Sequence, residues 1–523
     1  MLKNLAKKHK KKLHSLLFKF LGVAILIAAW ATLSVILNNG FIIVPSPIAT
    51  FRIIFGLLPT SDFWIGLSFT MLRALIAFIL SFILASICAF LAYKSESFAK
   101  TLNPTMATLR AMPTIALVLI LLLLVGSRYL AVTVAFLIIF PVCFEHLKSG
   151  LEVLNPQIIE MANAFEISKP RQLVHIYLPH MVPFIFSSAI AGFGLTFKVV
   201  IAAEILGLPA LGIGHFMTIA QQQMEFATLF AWLVIAVLVS FFFEFLLRLG
   251  RYFSLAYKRE RKANVKSCIN DTSFLPLNLQ QTVDKIQTEE IAFNNVNKSF
   301  DDIIVLEDFS ARFEANKITA ILAPSGAGKT TILNLIAKKL SADNGSLILP
   351  ERSGYVFQDD RLVAQKTVFK NLELVLLDIV KDKSTRKEVV CRMLTLAGLE
   401  DSSNLYPNQL SGGMRRRVAL LRALIYPAET LLLDEPFKGL DLKRKSAIIK
   451  EFLSLLSVTS RTTIFVTHDI DEALLIADNI YAYSDKPMKQ RAIFSIKTSS
   501  LVRSLNTPEL ESIKKQIYEC FEL

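Results

Sequence analysis

One glycine-rich string and one pair of adjacent acids have the residue types and settings for phosphate chemistry. Ile318-Thr319-Ala320-Ile321-Leu322 is a buried-strand pattern that runs directly into Ala323-Pro324-Ser325-Gly326-Ala327-Gly328-Lys329-Thr330-Thr331. Strand, glycine-rich turn and helix start, in that order, turn loop amides and a positive helix end toward an anion. Lys329 is placed to reach the outer phosphates and Thr330 to offer a hydroxyl to Mg2+. Ala323 departs from the pattern, which has glycine there; a negative φ keeps the turn. A second apolar run, Thr430-Leu431-Leu432-Leu433, ends in Asp434-Glu435-Pro436. Asp434 suits the Mg2+ shell and Glu435 a water in line with the terminal phosphate.

Between them lies Leu410-Ser411-Gly412-Gly413-Met414-Arg415-Arg416-Arg417. With the two strings above, it resembles the signature of the ATPase subunits of ABC transporters, and the resemblance covers about Ile291 to Asn479. It implies an α/β P-loop domain that binds ATP and Mg2+ and works as a dimer. Ser411, Gly412 and Gly413 would then face the γ-phosphate bound by the partner ATPase. Gln358, in Tyr355-Val356-Phe357-Gln358, resembles the glutamine that reaches the Mg2+. Gly439-Leu440-Asp441 resembles the loop after the acidic strand, and His468, in Val466-Thr467-His468-Asp469, the histidine that contacts the γ-phosphate. Phe300 lies where the family stacks an aromatic ring on adenine. All polar groups are intact, so an active ATP hydrolase is expected.

These residues need a soluble scaffold, yet the 523-residue chain is 53% hydrophobic. The average hides two halves. Up to about Gly250 long apolar runs dominate; after about Tyr257 the composition is that of a soluble protein. The expected architecture is an all-α polytopic membrane domain, residues 1–257, then a linker, 258–290, then the ATPase domain, 291–523. A membrane span needs about 20 apolar residues in a helix. Phe20–Leu37, Ala74–Ala92, Ala111–Val125, Tyr129–Phe144, Val182–Leu206 and Phe226–Leu247 supply about six. The net charge of +14 concentrates at their flanks, in Lys7 to Lys12 and Arg248 to Lys262. That is a cytoplasmic bias rather than a nucleic-acid face, and it places both ends in the cytoplasm. Arg73 is expected to snorkel at the outer end of the second span. The five cysteines, Cys88, Cys143, Cys268, Cys391 and Cys520, have no metal or disulfide spacing.

The cytoplasmic loop 156–180 reads Glu160-Met161-Ala162-Asn163-Ala164-Phe165-Glu166 and closes at Leu178-Pro179. It resembles the coupling loop of bacterial ABC importer permeases, with Met161 in place of the first alanine and Glu166 where glycine is usual. The resemblance implies docking on the ATPase near Gln358 through Glu160, Ala162, Glu166, Leu178 and Pro179. Pro45-Ser46-Pro47, Leu109-Arg110-Ala111-Met112-Pro113-Thr114 and Ala202-Ala203-Glu204-Ile205-Leu206-Gly207 resemble the nitrate/sulfonate/taurine group of these permeases, whose substrates vary. Lys198 and Glu204, ionisable at membrane depth, either line a translocation path or pair with another helix. The expected protein is a half-transporter of the bacterial inner membrane. It pairs as a homodimer or with a sister half and imports a small polar or anionic solute delivered by an extracytoplasmic binding protein. Export is the rival, favoured by the order permease-then-ATPase but opposed by the short spans and the importer-type loop. A non-transporting mechanical switch is a third reading, opposed by the lack of a large extracytoplasmic segment.

Overall fold

The computed structural model describes residues 2–37, 44–260, 290–438, 442–456 and 461–521. The helices in chain order are α1 Leu2–Leu37, α2 Pro47–Leu57, α3 Ser61–Lys94, α4 Glu96–Ala111, α5 Thr114–Glu152, α6 Pro156–Ala164, α7 Lys169–Gln172, α8 Leu178–Gly207, α9 Ile213–Gln222 and α10 Phe226–Glu260. After them come α11 Lys329–Ile336, α12 Val368–Leu374, α13 Lys383–Leu396, α14 Gly412–Ile425, α15 Leu442–Leu456, α16 Ile470–Ile476 and α17 Pro508–Phe521. The chain forms two compact units. One comprises Met1–Val153 with Met181–Glu260; the other comprises Leu154–His180 with Arg261–Leu523. The expected linker lies outside the described residues except at its ends.

Among the described residues four helices are long and apolar enough to cross a membrane: Ser61–Lys94, Thr114–Glu152, Lys169–Gly207 and Phe226–Arg251. The expected spans Ala111–Val125 and Tyr129–Phe144 correspond to two helices joined across a kink in α5. Together they occupy α5, which has 39 residues. At 1.5 Å per residue that is about 58 Å, roughly twice the hydrocarbon thickness. The backbone breaks a third of the way along at Gly126, with φ 68° and ψ 170°, so α5 is a shorter helix before the kink and a longer one after it. The first expected span is the apolar end of α1, Leu21–Leu37.

Close packing here follows from small side chains. Thr70, Ala74, Ala77, Ser81, Ala85, Ala89 and Ala92 are the buried stripe of α3, at helical spacings of three and four. Without a hydrophobic drive between helices in lipid, such stripes let backbones approach. The Ser81 hydroxyl donates to the Phe136 carbonyl of α5 at 3.2 Å.

The second unit contains a three-stranded antiparallel sheet, order β2-β1-β4, and a six-stranded sheet, order β5-β6-β7-β3-β8-β9. Here β1 is Ile291–Phe300, β2 Ile303–Phe313, β3 Ile318–Leu322, β4 Asn344–Ile348, β5 Ser353–Val356, β6 Thr430–Asp434, β7 Thr462–Thr467, β8 Asn479–Tyr483 and β9 Gln490–Ser495. Every pairing of the larger sheet is parallel except β8–β9. Strands β6, β7 and β8 are buried along their whole length. That is why they read as continuous apolar runs rather than alternating ones. Parallel strands share their carboxyl ends, and there β3, β5, β6 and β7 release the loops that carry the candidate chemistry.

Candidate nucleotide-binding and coupling sites

The glycine-rich turn after β3 is built as its residue types require. Gly326 and Gly328 have φ of 85° and 122°. A Cβ at Gly328 would also lie 2.5 Å from Val305 Cγ1, so glycine is demanded twice there. Ala323 is not among the positive-φ residues, and its carbonyl accepts from Lys329 Nζ at 2.6 Å. Pro324 O is a second acceptor at 2.8 Å. Burial lowers the affinity of the Lys329 ammonium for its proton. Ser325, Gly326, Gly328, Lys329, Thr330, Thr331, Gln358, Asp434, Glu435 and Lys438 line one cavity of ≈ 320 Å³, inside the usual range for small-ligand sites.

At the floor of this cavity Thr330 Oγ1 lies 3.2 Å from Asp434 Oδ2. Burial raises the Asp434 carboxyl above its ordinary range. A hydroxyl beside a carboxylate is a hard oxygen pair of the kind Mg2+ prefers, so these side chains fit that ion. Gln358 instead turns its amide to Glu435 Oε2 at 3.4 Å. Glu435 begins the turn after β6 in the left-handed region, φ 44°. Such strain gathers where function over-determines the backbone. His468 Nδ1 lies 2.9 Å from Glu435 Oε1 and Lys438 Nζ 2.5 Å from Oε2. Burial alone would raise the Glu435 carboxyl, but Lys438 and His468 outweigh it and hold it low.

Ser411 caps the 14-residue helix α14, accepting from the Met414 amide at 3.3 Å. With Gly412 it is exposed, and neither they nor Gly413 line the cavity. Phe300 ends β1, 42% exposed, outside the cavity lining as well. Asp441, with Gly439 and Leu440, lies outside the described residues. Arg416 escaped sequence reasoning as anything but part of its string. Its buried guanidinium donates to the carbonyls of Phe357, Gln358, Asp434, Glu435 and Pro436. It thereby fastens the loop after β5 to the turn after β6.

The loop 154–180 belongs to the same unit as the sheets. Leu154, Met161, Ala162, Phe165, Ile167 and Ile176 are buried in the same apolar cluster as the strands. Helix α6 is started by Asn155, whose side chain accepts from the Gln157 amide, with Pro156 in the first turn. It ends in a paired closure: the Ile167 amide donates to Ala162 O at 2.9 Å and the Glu166 amide to Asn163 O at 3.0 Å. That closure needs a left-handed residue between them, and Glu166 supplies it with φ 52°. Hence glycine is usual there. The Glu166 carboxylate lies 3.7 Å from Arg352.

Glu160 bridges two cations, Lys339 Nζ and Arg361 Nη1, each at 2.7 Å. Burial would raise its carboxyl, but those two charges prevail and lower it. Gln157 Nε2 donates to Asp359 at 3.1 Å. Thus α6 lies on the loop that begins at Gln358. The closing pair behaves differently from expectation: Leu178 is 49% exposed and Pro179 half-buried, so Leu178 is not part of the docked face. Polar contacts from the loop's second half include the Ser168 amide and Arg171 with Asp378, 3.0 and 3.2 Å, His175 with Lys366, 3.4 Å, and His180 with Gln365, 3.2 Å.

In the membrane unit the snorkelling expected of Arg73 is corrected. Arg73 Nη1 lies 2.6 Å from both Glu204 Oε1 and the Leu211 carbonyl. Glu204 is fully buried and also engages the Thr70 hydroxyl, 2.8 Å, and the Gly214 amide, 3.0 Å. The Ile213 amide donates to Thr70. Glu204 therefore pairs with other helices rather than facing a path, whereas Lys198 is exposed on α8. A Cβ at Gly212 would meet the Glu204 carboxylate at 2.7 Å, and its φ is 143°, so this glycine lets the chain close over the acid.

Residues 306–438 match the family model described as ABC transporter, and residues 81–254 match binding-protein-dependent transport system inner membrane component. The formylaminopyrimidine import ATP-binding protein ThiZ of Halalkalibacterium halodurans is 38% identical over 202 residues, 38% of this chain and 80% of that protein. The aliphatic sulfonates import ATP-binding protein SsuB of Bacillus cereus is 36% identical over 247 residues, 44% of this chain and 96% of that protein. Against the sulfate/thiosulfate import ATP-binding protein CysA of Mannheimia succiniciproducens the identity is 36%, and the chain spans 60% of that relative's length. Among solved structures, the dimeric structure of a bacterial ABC transporter cassette is 27% identical, with a TM-score of 0.37, covering 40% of this chain and 100% of that one.

Proposed function

This chain belongs to the ABC transporters, a binding-protein-dependent permease joined to its ATPase, and from that premise we propose that it imports a small polar or anionic solute at the expense of ATP. One observation carries the direction: the permease match, residues 81–254, and the ATPase match, residues 306–438, occur in one chain, and the permease family is the binding-protein-dependent one. The import relatives named above support the same direction.

In this reading residues 1–257 are the permease, with the coupling loop 156–180, 258–290 the linker and 291–523 the motor. Both ends lie in the cytoplasm of a bacterial inner membrane, as the basic flanks suggest. Two copies, or one with a sister half, face each other so that Ser411, Gly412 and Gly413 of one complete the nucleotide site of the other. Lys329 and the amides of residues 325–331 bind the phosphates, and Phe300 stacks on adenine. Mg2+, held by Thr330 and Asp434 with Gln358, would draw charge from the phosphate oxygens. Glu435 orients the attacking water, and His468, already beside it, reaches the γ-phosphate. Asp441 contributes from the loop between the two motors.

Closing the motors must favour one permease conformation, and docking of a loaded binding protein must favour the same one. The full chain in liposomes should therefore show low basal ATPase activity, raised by its cognate loaded binding protein. Solute should accumulate on the motor's side. High activity stimulated by free hydrophobic compounds, with movement away from the motor, would instead establish export.

A further inference from the structure

Lys438 lies inside the nucleotide cavity, and no motif accounts for it. Its place is fixed by the backbone. The Lys438 amide donates to the Glu435 carbonyl at 3.3 Å, closing a turn with Pro436 at its second position. Phe437, 1% exposed, anchors that turn on Phe452, with ring centroids 5.8 Å apart. The turn folds the lysine back over the residue that starts it, and Nζ comes to 2.5 Å from Glu435 Oε2.

Glu435 is thereby crowded. It takes Lys438 and Gln358 at Oε2 and His468 at Oε1. A carboxylate has about four lone-pair sites, so three donors leave little for a water. The other lysine of the cavity is similarly occupied, Lys329 Nζ with the carbonyls of Ala323 and Pro324. Both ammonium groups are thus satisfied by protein oxygens that polyphosphate oxygens would replace. A terminal phosphate carries more charge than a single carboxylate and offers three oxygens.

We infer that Lys438 is a second phosphate-binding cation, which exchanges the Glu435 carboxylate for the terminal phosphate of a nucleoside triphosphate and so frees that carboxylate for water. The inference rests on the nucleotide site proposed above. It makes the site discriminate triphosphate from diphosphate, because only the triphosphate reaches the turn after β6.

The test is binding to the purified full chain in nanodiscs, with a non-hydrolysable ATP analogue and with ADP as probes. Lys438→Ala should weaken the analogue about tenfold, the scale of a lost charge-assisted hydrogen bond, and change ADP by less than about twofold. Lys438→Arg should restore most of the difference. The Lys438 side chain is 49% exposed, so the variant should fold, which an unchanged melting temperature verifies. Equal effects on both nucleotides, or none on either, overturn the inference. Lys329→Ala serves as the separate arm. It should weaken both probes, and if it weakens neither, the nucleotide site itself is wrongly assigned.

Discussion

Glu435 and Lys329 sit in one cavity but fail differently when altered. Lys329 is a cation whose present partners are two main-chain carbonyls, so Lys329→Ala removes the charge proposed to face phosphate and should strongly weaken nucleotide binding. Glu435→Gln keeps the shape and the amide contacts but loses the carboxylate. It should still bind ATP and turn over about a hundredfold or more slowly, in the range for a lost general base. ATPase assays beside nucleotide-binding titrations separate the two, and wild-type turnover by Glu435→Gln would remove that residue from its role. Most residues of this site were legible in the sequence because phosphate chemistry dictates both type and spacing within a short string. Lys438 was not, since its relevance comes from a turn that folds it back. Arg416 was not, since its five acceptors come from two loops far apart in sequence. Glu166 was legible only as a departure, and its φ of 52° gives the physical reason why glycine is usual.

Elements show where local pattern runs out. Hydropathy marked the apolar segments, but it reports burial in lipid and not where one helix stops. The non-helical Gly126 breaks α5 into two helices, as its two apolar runs implied, though the kink itself has no hydropathy signal. The ties between α3, α8 and the entry to α9 were illegible for another reason. Arg73 and Glu204 are 131 positions apart, and a lone arginine near a helix end has an ordinary reading in snorkelling. Their pairing has a measurable consequence. Arg73→Ala strands a fully buried carboxylate and should cost about 3–5 kcal/mol, seen as a large fall in melting temperature in detergent. Adding Glu204→Gln to it should recover much of that loss, because the stranded charge is gone. Additive losses in the double variant would mean that the two side chains do not act as a pair.

At the scale of the whole molecule, the division into two halves near residue 257 was plain from composition, and one excursion departs from it. Residues 154–180 fall within the permease stretch of the sequence, yet they pack with the motor. Met161, Ala162, Phe165, Ile167 and Ile176 are each 3% exposed or less, and Phe165 meets Tyr426 edge-on at 5.2 Å. Each fully buried large apolar side chain is worth about 1.5–3 kcal/mol. The motor's apolar cluster is thus extended by a strip from an earlier part of the polypeptide. An ATPase fragment of residues 291–523 should then expose the apolar groove that this strip covers and be prone to self-association. A synthetic peptide of residues 154–180, added in trans, should raise the fragment's melting temperature and keep it monodisperse. A peptide with Phe165→Asp should do neither. In the cell, a ribosome delivers that strip well before the groove it fills, so it must wait, unpaired, until the motor arrives.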